Sequence, residues 1–345
     1  GMSSAASDVY KRQSFNFANI VQKPKSISRD KCFKLISRAS GVQQVYPVRN
    51  LMGLALAGAT LISFAPMMYS FSNASPLTGA FFRMLYALPF LWILTVFWTS
   101  EDKRVGVEKW LAFIAGIVLA FDFISYHSAI DWVGTGIATL IGNSQVIIVT
   151  IASWWLFGER PNKAILLALP VVIIGLFFIS GLGDSSAYGA KPRLGVIAGI
   201  FTAIFYSLFL ILYRYSNRSL SPATSLQLEA TAGGTLGLLV MGLLPLQGLN
   251  IEPIDFRPSY PSHVWLVLLG ILCQSIGWVA ITYSLPRLPA AHTSFAILLQ
   301  PVLTIVWGVL LLGEDPSVQQ KIGMGLILIA VICVTIMGAV EADAE

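Results

Sequence analysis

Apolar stretches of about 20 residues alternate along this chain with short polar connections. Roughly 30 Å of hydrocarbon takes about 20 helical residues to cross. Ten stretches reach that length, near 49–70, 77–98, 110–130, 133–156, 163–181, 193–213, 223–246, 263–285, 290–312 and 319–339. Most connections are too short for anything but a turn, so successive helices run antiparallel. The longest connection, 247–262, carries the turn-formers Asn250, Pro253, Pro258 and Pro261. The predicted fold class is all-α integral membrane with ten transmembrane helices.

Two six-residue strings sit at corresponding places in this pattern. LFGERP occupies 156–161 and LLGEDP occupies 311–316, a spacing of 155. At the same spacing Gln145 falls on Gln300 and Ile147 on Val302. An internal repeat has to be found before a fold is read. Each unit here holds five helices, an odd number, so the two copies are expected to be inverted relative to each other, as in transporters. The predicted division is a basic, disordered tail at 1–47, a first five-helix repeat at 48–182 and a second at 192–341.

Orientation follows from Lys and Arg. With the N-terminus in the cytoplasm, the inner connections carry Lys103, Arg104, Lys109, Arg160, Lys163, Arg214, Arg218 and Arg287, besides the tail. The outer ones carry only Lys191, Arg193, Arg257 and Lys321. The positive-inside rule then predicts a multi-pass protein of the cell membrane with both termini cytoplasmic; an organellar membrane is the alternative.

Composition narrows the function. The chain is 56% hydrophobic and 11% charged, with a mean hydropathy of +0.74, an excess that a soluble core does not need. The net charge of +5 comes from the first 50 residues, which hold nine Lys/Arg against two acids. No basic face continues beyond them, so no nucleic-acid partner is expected. Cys32, Cys273 and Cys333 are too few and too scattered for a disulfide framework or a metal site. No metal or cofactor is expected, and the expected partners are a small-molecule substrate and the lipid bilayer.

Candidate chemistry lies in the polar residues within the apolar stretches. A charge at mid-helix costs about 2.5–3.5 kcal/mol on insertion scales, so each needs a partner or a wet cavity. Arg83 in the second span and Asp122 in the third lie at similar depths, about 9 and 12 Å from the outer end. They are expected to pair or to share one polar network, with Tyr126 as the facial neighbour of Asp122. Glu229 is the mirror of Arg83 in the second half and, with Asp122, is a candidate for proton coupling. His127 reads as a structural histidine near the outer end. Neutral polar residues cluster nearer the midplane: Asn143 and Gln145 in the fourth span, Tyr206 in the sixth, Gln274 and Trp278 in the eighth, and Gln300 in the ninth. Tyr86 joins Arg83 as a cavity candidate. Two readings compete, a shared substrate cavity and hydrogen-bond glue between helices.

These residues carry a family resemblance. In the first half it rests on SPLTGAFFRMLYALP (75–89), DFISYHSAI (122–130) and the run from GTGIATLIGNSQ (134–145) to LFGERP; in the second, on QSIGW (274–278) and LLQPVLTIVWGVLLLGEDP (298–316). The chain resembles the drug/metabolite transporter superfamily, in its ten-span EamA type, over about 48–340. The resemblance implies two five-helix bundles rocking around a central cavity. Its departures are the basic tail and Ser144-Gln145-Val146, where the family's fourth span often has a proline that the second copy keeps as Pro301. The function expected is a secondary transporter for a small polar or amphipathic metabolite, amino-acid-like, with export favoured by analogy. A nucleotide-sugar or other organellar metabolite carrier is the alternative. Readings from other classes are a non-transporting receptor or scaffold, and an intramembrane aspartyl protease built on Gly181-Leu182-Gly183-Asp184 with Asp122. No catalytic residue is expected.

Overall fold

The computed structural model describes residues 48–98, 101–157, 163–217, 222–244, 252–288 and 290–342. The tail 1–47, all of GERP (158–161) with Arg160 in it, and Arg218 lie outside the described residues. The rest is mainly helical, with turns and loops at 180–191, 252–259 and 313–317. Two short helices, α1 (Val48–Ser63) and α2 (Ala65–Ser72), form one broken rod. They are followed by α3 (Pro76–Phe97), α4 (Gly106–Val133), and a second broken rod of α5 (Thr135–Asn143) and α6 (Gln145–Phe157). Then come α7 (Lys163–Ile179), α8 (Pro192–Ser216) and α9 (Ala223–Leu243). A composite rod follows: α10 (Tyr260–Leu268), a π-helical segment (Leu269–Gly277) and α11 (Trp278–Ser284). The last two helices are α12 (Ala290–Leu312) and α13 (Val318–Ala342).

The sequence explains most of these boundaries. Asn73 takes a left-handed conformation, its N–H bonded to Ser70 O, and ends α2. Pro76 and Pro192 open α3 and α8 at first-turn positions, where a missing N–H costs nothing. At the start of α4 the Glu108 carboxylate accepts from the backbone N–H of Val105. Gly134, at φ +91°, separates α4 from α5. A Cβ there would press on Tyr188 and the Glu314 carboxyl, so only glycine fits. The fourth rod breaks at Ser144 although it has no proline. The Asn143 amide donates to the Thr139 carbonyl, and the ladder resumes with Ile147 N–H bonding Ser144 O.

Polarity is inverted relative to a soluble protein. Trp92, Phe97, Trp155, Leu167 and Leu310 are exposed, whereas Arg83, Asp122, Gln227 and Gln274 are buried. Five segments, Arg49–Ser72, Pro76–Phe97, Pro192–Ser216, Ala223–Leu243 and Tyr260–Arg287, are long and apolar enough to cross a bilayer, and shorter apolar helices cover much of the rest. The chain is a multi-pass membrane protein.

Helix α4 packs along both α8 and α9, and small residues set the spacing. A Cβ at Gly116 would overlap the Ala230 carbonyl, and one at Gly233 the Phe113 carbonyl, so the α4 and α9 backbones touch. Gly195 and Gly199 likewise seat Val133 and Ile141 against α8. Because α3, α4, α8 and α9 alternate in direction, their ends gather into two poles. One pole holds residues 73–77, 130–134 and 188–194; the other holds 101–108, 216 and the start of α9.

Candidate functional site

Arg83 is 3% exposed and lies about 10 Å along α3 from Pro76. Its Nε donates to Gln274 Oε1 at 3.0 Å, and its guanidinium lies 3.9 Å from the centre of the Phe123 ring. Nε is the one guanidinium nitrogen with a hydrogen bond among the described residues. The π-helical segment makes this contact fit. Its wider turn is marked by the Ser275 hydroxyl bonding the Gly270 carbonyl five residues back. Gly270 also lets the segment run close under the Arg83 backbone.

Asp122 is 4% exposed, and its Oδ1 has no hydrogen-bond partner. The hydrogen-bonded Arg83–Asp122 pair that equal depth suggested is not formed. The two share a network, each within electrostatic reach of the other and of Tyr206. Tyr126 belongs to the same group and bonds Thr139 Oγ1 at 2.6 Å. Gln145 lies beside the Tyr206 hydroxyl with its Oε1 unpartnered. Trp278 stands edge-on to Tyr206, Phe209 and Tyr213 at 5.6–6.5 Å, its Nε1 also unpartnered. A buried polar atom without a bond costs about 1–3 kcal/mol. Several such atoms in one interior are a cost the packing of the helices does not explain.

Of the expected residues, Arg83, Asp122, Tyr126, Gln145, Tyr206, Gln274 and Trp278 therefore share one polar centre. Asn143 spends its amide on the Thr139 carbonyl, beside Tyr126. Tyr86 points elsewhere: its hydroxyl bonds His263 Nδ1 at 2.6 Å. Gln300 is half-buried on α12, where its carbonyl accepts from Thr304 Oγ1, and no contact draws it to Arg83. Glu229 is not an isolated carboxyl. It is held by the Arg104 fork, Nη1 to Oε2 at 2.6 Å and Nη2 to Oε1 at 3.0 Å. Asp184, in the loop before α8, bonds Ser186 of the same loop and Ser317 just before α13, while Asp122 sits in mid-helix, so the two aspartates of the protease reading are not brought together.

Sequence reasoning missed Gln227. Its Nε2 donates to the Gln274 carbonyl at 3.1 Å, and its Oε1 accepts from the Tyr213 hydroxyl at 2.9 Å. A continuous chain of bonds thus links Arg83, Gln274, Gln227 and Tyr213. A buried glutamine one turn into a helix otherwise rich in Ala, Thr and Gly was the available signal.

At the first pole a cavity of about 1150 Å³ opens, lined by Tyr69, Asp131, Tyr188, Lys191, Glu252 and Glu314 among others. Glu314, from the second motif, accepts the backbone N–H groups of Thr135 and Gly136 and so caps α5. At the opposite pole Arg104 also binds Asp102, Nε to Oδ1 at 3.0 Å and Nη2 to Oδ2 at 2.9 Å. Burial works against charge on Asp102, but the Arg104 hydrogen bonds and charge outweigh it and hold the carboxyl below its ordinary value.

The comparisons agree on the family. The model of the EamA-like transporter family matches residues 50–181 and again 193–336. The chain is similar to "Uncharacterized transporter YcbK" of Bacillus subtilis, 23% identical over 269 residues, 73% of this chain and 81% of that protein. An "Uncharacterized transporter" of Archaeoglobus fulgidus is 23% identical over 279 residues, 78% of this chain and 92% of that protein. A solved structure described as "Crystal structure of protein" shares the fold with a TM-score of 0.55 at 19% identity, covering 85% of this chain and 98% of that one. The chain belongs to the EamA-like transporter family, whose members move small molecules across membranes rather than catalyse reactions.

Proposed function

We propose that this member of the EamA-like transporter family is a secondary carrier for an amino-acid-like zwitterion, working by alternating access and exporting it from the cytoplasm. The observation that carries this reading is the pairing of an under-used guanidinium with a carboxyl that lacks a hydrogen bond. Arg83 has both Nη groups to offer a carboxylate, in the bidentate geometry for which arginine is suited. Asp122 offers Oδ1 to an ammonium group. A zwitterion satisfies both at once, where an anion or a cation alone would satisfy one. Phe123, Tyr206 and Trp278 supply an apolar flank for a side chain.

The transport cycle follows from the two poles. The first is open as a vestibule and the second is fastened by Arg104, an arrangement that suits one half of an alternating-access cycle. The ten rods are read as ten crossings in two inverted five-helix repeats, 48–182 and 192–341, both termini cytoplasmic in the cell membrane. The repeated motif at 156–161 and 311–316 supports the inversion. Asp122 remains the candidate for proton coupling. Glu229 is better read as a partner of Arg104.

The test is counterflow in proteoliposomes. Vesicles loaded with each of the twenty L-amino acids are assayed for uptake of the same radiolabelled compound. Uptake of at least one, abolished in Arg83→Gln and in Asp122→Asn with insertion unchanged, is the expected result. Counterflow by both variants at the wild-type rate would remove the zwitterion reading. Impermeant labels reaching Arg160→Cys and Asp315→Cys from the same side would remove the inversion.

A further inference from the structure

A column of rings stands between the vestibule and the polar centre. Tyr69 lines the vestibule, and its hydroxyl donates to Asp131 Oδ2 there at 3.0 Å. Beneath it lies the His127 ring, centroid to centroid 3.8 Å and nearly parallel at 10°. Phe123 follows one helical turn down α4, 6.0 Å from His127 and again parallel at 11°. Under Phe123 lies the Arg83 guanidinium. The order from vestibule to site is therefore Asp131, Tyr69, His127, Phe123, Arg83. We propose that the Tyr69–His127–Phe123 stack is the gate between the vestibule and the central site, with Asp131 as the latch that holds Tyr69 closed. The inference rests on the central site being where substrate binds.

The local structure is built for Tyr69 to move. Its helix, α2, is eight residues long, set between the break at Phe64 and the left-handed Asn73. A short helix with a joint at each end turns as a unit without disturbing its own hydrogen bonds. Its ring rests on Gly79, where a Cβ would come within 2.6 Å. The ring is thus seated by shape, and the hydroxyl makes one hydrogen bond, to Asp131. His127 is fixed differently, its Nδ1 at 3.2 Å from the Pro76 carbonyl and its Nε2 without a partner. The movable leaf is Tyr69, and the fixed leaf is His127 with Phe123.

The same arrangement links the gate to the site. Helix α2 packs on α10, through Ser262 Oγ donating to Ser72 O at 2.6 Å and through Phe71 against Trp265. The rod that begins as α10 continues into the π segment carrying Gln274, the partner of Arg83. A ligand that draws Arg83 away from Gln274 removes one of the bonds on that rod, leaving the Gln227 bond to the Gln274 carbonyl, and α2 packs on the same rod.

The test reads the gate without any substrate, so it fails or succeeds independently of the zwitterion reading. Cys32, Cys273 and Cys333 are replaced by serine, and Asp122→Cys is introduced as a reporter in the central site. Its rate of modification by a trimethylammonium methanethiosulfonate is measured in purified protein, with Ser75→Cys as the vestibule control. Asp122→Cys is expected to react far more slowly than Ser75→Cys. Tyr69→Ala and His127→Ala are expected to raise its rate. The isosteric Tyr69→Phe, which spares the packing, should do so about tenfold, the factor that goes with a lost charge-assisted hydrogen bond; Asp131→Asn, which keeps an accepting oxygen without the charge, should do so by less. Rates at Ser75→Cys should not change. An Asp122→Cys rate equal to that of Ser75→Cys before any gate substitution overturns the proposal, as does a rate unaltered by all four.

Discussion

Replacing Arg104 tests the electrostatics at the second pole most directly. Its side chain is 0% exposed, and it is clasped by Asp102 and Glu229, whose side chains keep 19% and 25% exposure. Four short bonds join the guanidinium to two carboxylates on different elements. Breaking a buried pair from one side costs about 3–5 kcal/mol, because the remaining charge is left without its partner. Here both carboxylates still reach water, which returns part of that cost, so Arg104→Ala should lose about 2–3 kcal/mol. A double-mutant cycle with Glu229→Ala isolates the pair. We expect a coupling of about 2 kcal/mol for this bidentate contact, measured by reversible unfolding in mixed micelles of mild detergent and dodecyl sulfate. A coupling below about 0.5 kcal/mol, the level of an exposed surface pair, would refute the reasoning. The pH dependence has a definite sign. The carboxyl of Asp102 is depressed in the folded protein, so its contribution is complete above the ordinary aspartate value and fades only as pH falls through the lower folded one. Stability due to Asp102 should be flat from pH 8 to 5, and the Asp102→Asn difference should shrink only below about pH 4.

Three further outcomes follow from contacts already described. Glu314→Ala should destabilise the protein by about 1–2 kcal/mol through the loss of the α5 cap, read as a lower melting temperature in detergent, with Glu314→Gln losing less. Gly116→Leu should prevent close packing of α4 on α9 and abolish a monodisperse gel-filtration peak, while Gly53→Ala, in α1 with nothing around its Cβ position, should keep the peak. Gln227→Leu should raise the substrate KM in counterflow more than it lowers the maximal rate, because it loosens the Gln274 that steadies Arg83; equal change in both would assign Gln227 a general packing role.

Much of this organisation is legible in the hydrophobic pattern. Period, length and spacing are one-dimensional properties, and they gave the helices, the poor tolerance for charge between them and the repeated motif. Depth along a helix is also one-dimensional, which is why Arg83 and Asp122 could be assigned to one level. Azimuth is not. Tyr86 lies three residues from Arg83, yet it turns to His263. Glu229 matched Arg83 in depth, but its partner Arg104 comes from a connection 125 positions away. The π segment could not be foreseen either. Leu269–Gly277 carries no residue that enforces a wider turn, yet Gln274 meets Arg83 from within that turn.

The Glu314 cap has a consequence for assembly. Thr135 and Gly136 hand their N–H groups to a side chain that lies 179 and 178 residues later. A chain entering the bilayer from its N-terminus therefore holds the start of α5 open while the residues between 136 and 314 are made. Until the penultimate rod has been threaded, those donors have only water or lipid headgroups to turn to. The tip of α5 is finished only by the segment that follows α12, so a nascent chain stalled before residue 314 would carry its own marker of incompleteness.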